Sequence, residues 1–371
     1  MNSRERFHAV MRFNAPDRVA LPCLFHCYEA ETIERWYREG LRRDAHVIEQ
    51  FGLERIELVP VQLGTLPALE QADVEEAEEW RAGADREHAD ETTARVDAAR
   101  EQFYLREPEH WPIIRRRLNP ASPARYPRFW REYCRERADH DYPLGIQLTG
   151  PFSTLRDWMG LQRLAGATRT DRRWIEAMLA ELGDFLIEAA RRAVTDLSLD
   201  FAILREPWAY RADTVGTPED FAQLFGGAYR KIIGFLREAG IPAVIVQTKG
   251  RVTDPLGLWL ASGANALAFV EAGAGLDGRA LRKEYGRNLV LIGNLDHQVL
   301  ACQRRDIADE VLAKVPALLS EGGYFPTTDR AVHSDVPLEN YEYFLALLRH
   351  VGGDETAGWA SHEKQHEWSI F

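Results

Sequence analysis

Eight short, largely apolar runs recur along this chain between turn-forming residues, and no other feature narrows its fold so far. They are RVALPCLFHC (18–27), RIELVPVQ (55–62), PLGIQLTG (143–150), LDFAILREP (199–207), IPAVIVQTKG (241–250), ANALAFVEAG (264–273), NLVLIGNLDH (288–297) and GYFPTTDRAVH (323–333). Most are continuously apolar rather than alternating, which suits parallel strands covered on both faces. Helical patterns lie between them, at 174–194, 221–240 and 304–323. The second of these ends on Gly240, a favourable C-cap, before Pro242. Strands alternating with helices predict right-handed βαβ units and a parallel sheet. Eight such units predict an α/β chain folded as a (β/α)8 TIM barrel. A doubly wound open sheet is the alternative.

The spacing breaks once, with about 80 residues between the second run and the third. Within it, residues 70–101 hold twelve acids against four arginines, a net −8 of the whole chain's −12. This segment reads as an acidic insertion on the barrel (63–142) rather than a second domain. The expected organisation is a single domain over 1–352 followed by a polar C-terminal tail, 353–371. A chain this acidic is a poor partner for nucleic acid, whose phosphates need clustered Lys and Arg. No stretch approaches the 18 apolar residues of a membrane span. The opening MNSRERFHAVMRF has no apolar leader region. Four cysteines are too few for a disulfide framework in so long a chain. The expectation is a cytoplasmic protein with neither nucleic-acid nor membrane partners. Cys23 is expected in the core and Cys302 on a helix, Cys134 lies in a charged stretch, and only Cys27 is placed for chemistry.

In a TIM barrel the chemistry sits at the C-terminal ends of the strands. Those ends read His26 and Cys27, Gln62, Thr149, Arg205 and Glu206, Gln247 and Lys249, Glu271, Asn294 with Asp296 and His297, and Asp329 with Arg330 and His333. Polar groups at nearly all eight ends, behind apolar strands, indicate a lined pocket.

The segments RERFHAVMRFNAPDRVALP, ETIERWYREGL, LTGPFSTLRDWMGL, LREPWAY, GNLDHQVLA and EGGYFPTTDRAVHSDVPLENYEYFLALLR together resemble the uroporphyrinogen decarboxylase superfamily. The last is the most specific: a Gly-Gly-Tyr strand, a polar turn, then a helix start of the Asp-Val-Pro-x-Glu-Asn kind. The resemblance covers most of the chain. It implies a TIM barrel with an N-terminal helix and a homodimer, in a superfamily that holds porphyrinogen decarboxylases, cobalamin-linked methyltransferases and many unassigned relatives. Two departures qualify it. The zinc-dependent methyltransferases carry His-x-Cys where this chain has Gln247-Thr248-Lys249, and a second Cys where it has Arg330. Gln is a poor zinc ligand and the two cations repel the ion. The porphyrinogen decarboxylases carry an arginine-bearing motif after the first strand, where FHCYEAETIERW has no Arg before Arg35. Their Tyr after the third strand is Trp158 here, and their last-strand His is Arg330.

The residues themselves support decarboxylation without a metal or other cofactor. Arg205, Lys249 and Arg330 are cations suited to a carboxylate-bearing small molecule. Loss of CO2 builds carbanion character, which a nearby cation stabilises and an acid quenches. Lys249 or His297 is the expected proton donor, with Glu206 and Asp296 to orient it. Trp158, Tyr210, Gln247 and His26 are further candidates for substrate contact. The competing structural role is a pair of rim ion pairs, Arg205–Glu206 and Asp329–Arg330. The competing cofactor is a divalent metal drawn from His26, Cys27, Glu206, Asp296, His297 and His333. Two other functions stay open: methyl transfer with a corrinoid carried on a partner protein, and non-catalytic binding of a small acid or tetrapyrrole. Two motif matches carry little. GAGLDG (273–278) is expected to be a loop feeding a helix, and HEKQH (362–366) lies in the polar tail with no helix to carry it.

Overall fold

The computed structural model describes residues 1–66, 104–206, 215–250 and 252–353. Within them, seven strands form one sheet in chain order: β1 (Glu57–Leu58), β2 (Leu144–Thr149), β3 (Phe201–Glu206), β4 (Ala243–Thr248), β5 (Ala266–Val270), β6 (Val290–Gly293) and β7 (Tyr324–Phe325). Every neighbouring pair is parallel. Helices separate most of them: α1 (Ser3–Met11), α2 (Ala30–Glu39), α3 (Val47–Gln50), α4 (Trp111–Arg117), α5 (Trp130–Glu136), α6 (Pro151–Met159), α7 (Leu161–Thr170) and α8 (Arg172–Asp196). The series continues with α9 (Pro218–Glu238), α10 (Thr253–Ala261), α11 (Gly278–Tyr285), α12 (Arg304–Glu321) and α13 (Leu338–Val351). The architecture is α/β and TIM-barrel-like.

The first apolar run corrects the expectation of eight strands. Pro22 has no N–H to give a ladder, and Cys23–Phe25 close a 3-10 turn in which the Phe25 amide donates to the Pro22 carbonyl. Its backbone meets the neighbouring segments in isolated parallel bridges, Pro22 with Glu54 and Tyr28, just beyond the run, with Val332. The acidic stretch 70–101 and the tail from residue 354 lie outside the described residues. No described helix is long and apolar enough to cross a membrane.

Strand alternation divides the core into two layers. Ala202, Leu204, Val244, Val246, Leu267 and Leu291 point outward into the larger apolar cluster, shared with the helices. Phe201, Ile203, Ala243, Ile245, Ala266, Ala268, Val290, Ile292 and Phe325 form a separate inner cluster with Phe7, Val10 and Met11 of α1. The Phe7 ring centre lies 5.6 Å from that of Phe201 and 5.5 Å from that of Phe325, so α1 packs against the inner face. Gly145 on β2 faces Phe201, whose ring fills the space a side chain would need. Helix starts follow local chemistry. Thr217 and Asp220 form a reciprocal capping box at α9, and Asn2 and Glu5 do so at α1.

Candidate active site

At the C-terminal ends of the strands the inner face opens. Thr149 pairs with Arg205, and Arg205 with Gln247, so these three side chains stand side by side on that face. Each is at least partly exposed, whereas the outward neighbours Leu148, Glu206 and Thr248 are buried beneath the helices. Lys249 is exposed just past the end of β4. Among the described residues neither Arg205 nor Lys249 has an ion-pair partner, and both are exposed.

His297 stands at the end of the loop that follows β6. Its Nδ1 lies 2.9 Å from Asp329 Oδ1, and its backbone N–H donates to the same oxygen at 3.1 Å. The other Asp329 oxygen accepts the Ala272 N–H at 2.9 Å. An ionised carboxylate only accepts hydrogen bonds, so Nδ1 carries a hydrogen and Nε2 is left out of the pairing with Asp329. The hydrogen bond to Asp329 raises the His297 pKa, against burial, which lowers it. Burial alone would raise the Asp329 pKa, but the hydrogen bonds from His297 outweigh it and hold the carboxyl below its ordinary value. The His333 ring lies 5.0 Å from that of His297.

The backbone around His297 is tied down from three sides. Asn294 takes a left-handed conformation, φ 70°, and its buried amide links Leu276 and Gly278 across to β6. Glu310 accepts the Asp296 N–H at 2.8 Å, and Lys314, paired with Glu310, donates to the Asn294 carbonyl at 2.8 Å. Asp296 accepts the Gln298 N–H and caps the 3-10 turn that begins at His297.

A second bracket joins three strand ends. Glu271, after β5, forms a close ion pair with Arg330 and accepts the Gly250 N–H at 2.5 Å. It thereby fixes the backbone beside Lys249 and the guanidinium after β7.

Several candidates take other positions. Glu206 is 1% exposed and turns away from the inner face. It accepts the Ser153 N–H at 2.9 Å, the Phe152 N–H at 3.3 Å, the Tyr229 hydroxyl at 2.6 Å and a close hydrogen bond from the Ser153 hydroxyl. It therefore anchors the start of α6, where a carboxylate suits the helix dipole, although burial still pushes its pKa up. A methyl on Gly150 would collide with it, which accounts for glycine there. His26 faces α13, with Nδ1 3.2 Å from the Tyr341 hydroxyl, and burial followed by the Arg349 charge lowers its pKa to about 3. The Cys27 thiol donates to the Leu24 carbonyl, and burial raises its pKa. Trp158 is a core residue beside Trp111. Tyr210 and the HEKQH motif lie outside the described residues. The anticipated rim pairs are replaced: Arg330 pairs with Glu271, Asp329 with His297, and Glu206 with Ser153 and Tyr229. Arg205 and Glu206 are adjacent on a strand and so point to opposite faces. GAGLDG is a loop that leads into α11, with Asp277 capping that helix. Cys302 is exposed, just beyond the 3-10 turn rather than within a helix.

The metal question divides into two. At the positions where the resemblance would hold zinc, the donors are Gln247, Lys249 and an Arg330 already paired with Glu271, a set that does not fit the ion. Of the wider set, His297 and His333 lie side by side, whereas His26, Cys27 and Glu206 have their contacts elsewhere. Among the described residues the one group with metal-ligand spacing is Asp296, His297 and Asp329, whose donor atoms lie within 4.8 Å of one another. From sequence Asp329 is expected only as a rim partner of Arg330, and Glu271 only as a strand-end residue; their partners in the fold lie 32 and 59 residues away.

The family model for uroporphyrinogen decarboxylase (URO-D) matches residues 130–351. Among solved structures, a methyltransferase from Methanosarcina mazei superposes with a TM-score of 0.57 at 15% identity, over 94% of this chain and 99% of that one. At that identity the likeness shows the fold. No curated protein matches this chain.

Proposed function

This chain belongs to the uroporphyrinogen decarboxylase (URO-D) family, and from that premise we propose that it is a metal-independent carboxy-lyase acting on a carboxylated small molecule or tetrapyrrole-like substrate. The observation that carries the reading is the His297–Asp329 dyad together with Arg205 and Lys249, which have no ion-pair partner among the described residues, at other strand ends of the same sheet. Arg205 and Lys249 bind the substrate carboxylates. Loss of CO2 leaves an electron pair on carbon, which the cations stabilise and the His297 imidazolium protonates. Asp329 orients the ring and favours its protonated form. Arg330, fixed by Glu271, lines the same rim. The same reading takes the run 18–27, bridged rather than laddered to its neighbours, as the segment that closes the barrel, and the protein as a cytoplasmic homodimer.

The test is CO2 release from a panel of acids bearing one to several carboxylates, including a porphyrinogen, together with elemental analysis of the purified protein. Turnover that survives chelation and stops in His297→Asn supports the proposal. Turnover that needs stoichiometric metal, or that persists in His297→Asn, sinks it. The second reading is methyl transfer to or from a corrinoid on a partner protein, favoured by the full-length likeness to a methyltransferase. Methyl transfer to free cob(I)alamin, with no CO2 released from the panel, would favour that reading instead.

A further inference from the structure

We propose that Phe269 determines specificity at the strand-end pocket: it is an aromatic wall that selects carboxylates with a flat, unsaturated body. The inference rests on the reading of the strand ends as the active site. Along β5 the side chains alternate, with Ala266 and Ala268 on the inner face and Leu267 outward among the helices. Regular alternation would turn Phe269 outward after Leu267. Instead the pairing with β6 slips there. Ala268 lies opposite Ile292 and Val270 opposite Gly293, so Phe269 is the extra residue of a bulge. Its ring packs against the inner cluster.

This placement carries a conformational cost on both strands. Phe269 sits at φ 59°, a left-handed conformation that a bulky residue adopts only under constraint. Gly293 opposite has φ 107°, and a methyl there would lie 3.2 Å from both the Phe269 Cα and the Val270 N. A strand that served only to fill the core would keep its alternation and bury the ring beneath the helices. Bulges of this kind re-aim a side chain, and here the re-aimed ring remains partly exposed at the C-terminal end of β5. Arg205 and Gln247 occupy the same face on β3 and β4. Gln247 in turn pairs with Ala268, so the inner face carries a cation on β3 and a flat π surface two strands away at the end of β5. A planar acid meets both, because stacked rings gain more than the area they bury, whereas a saturated ring of equal size gains the area alone.

The experiment titrates benzoate and cyclohexanecarboxylate, equal in charge and carbon count, into the full-length protein by ligand-observed NMR and calorimetry. Wild type should bind benzoate at least fivefold more tightly. Phe269→Leu should bring the two affinities within twofold of each other while leaving that of cyclohexanecarboxylate within twofold of wild type. Phe269→Gly, whose backbone accepts φ 59°, must show the same loss of preference. The double variant Arg205→Gln/Lys249→Ala should weaken both acids at least tenfold. Equal affinities in wild type, or a preference that survives both Phe269 variants, overturns the inference even where the double variant weakens binding. Binding of both acids that ignores the double variant overturns the reading of the strand ends, and the inference with it.

Discussion

Asp329 Oδ1 takes two hydrogen bonds from one residue, the ring Nδ1–H and the backbone N–H of His297, at 2.9 and 3.1 Å. The carboxylate thus sets both the tautomer and the position of the imidazole.

The dyad predicts a pH profile. His297 has a raised pKa in the folded protein. Its contribution to stability is therefore complete below the ordinary histidine value of about 6.5 and is lost as pH rises through the raised one. Asp329 has a lowered pKa, so its contribution is present above the ordinary aspartate value and is lost as pH falls through the lowered one. With His297 as the proton donor, kcat/KM falls on the alkaline side. Asp329→Asn should move that fall to lower pH and lower kcat at neutral pH by at least tenfold. NMR titration of the His297 ring should show the same direction, and an unmoved ring titration would remove the dyad from the mechanism.

Arg205 and Lys249 predict a binding effect without a folding effect. Neither has an ion-pair partner among the described residues, and both are exposed. Arg205→Ala and Lys249→Ala should each weaken binding of a carboxylate substrate about tenfold, roughly 1.4 kcal/mol. Their thermal midpoints should stay close to wild type. Calorimetric titration and thermal melts, run on the same samples, separate the two effects.

Glu206 predicts the reverse. Its oxygens accept four hydrogen bonds inside the protein. In Glu206→Gln the amide NH2 must replace one of those oxygens and meet an N–H donor. The expected loss is about 1–3 kcal/mol of stability. Denaturant unfolding should detect it, and kcat of the folded fraction should remain within a few-fold of wild type. A collapse of kcat at unchanged stability would place Glu206 in the chemistry.

Gly293→Ala tests the bulge. The residue has φ 107°, and its added methyl would press on the backbone of Phe269 and Val270 at 3.2 Å. A destabilisation of about 1–3 kcal/mol is expected, measured by chemical denaturation. Stability equal to wild type would mean that the bulge relaxes freely.

Much of this molecule is determined locally, and that part was legible in the chain. Continuous apolar runs alternating with capped helices specify a parallel sheet, because only strands buried on both faces need such composition. Arg205, Gln247, Lys249 and His297 could be placed at strand ends by counting along those runs. Three things came only from tertiary structure. Which face a strand-end residue takes depends on register: Glu206 and His26 turned to the helices, and the bulge at Phe269 turned a ring the other way. Which charge meets which depends on chain segments far apart in sequence, so Asp329 found His297 and Glu271 found Arg330 rather than their neighbours. Whether the first run forms a ladder depends on Pro22, whose missing N–H left a turn and two bridges where a strand was expected. Periodicity carries the order of the elements, but the meeting of side chains from different strands is a property of the closed fold alone.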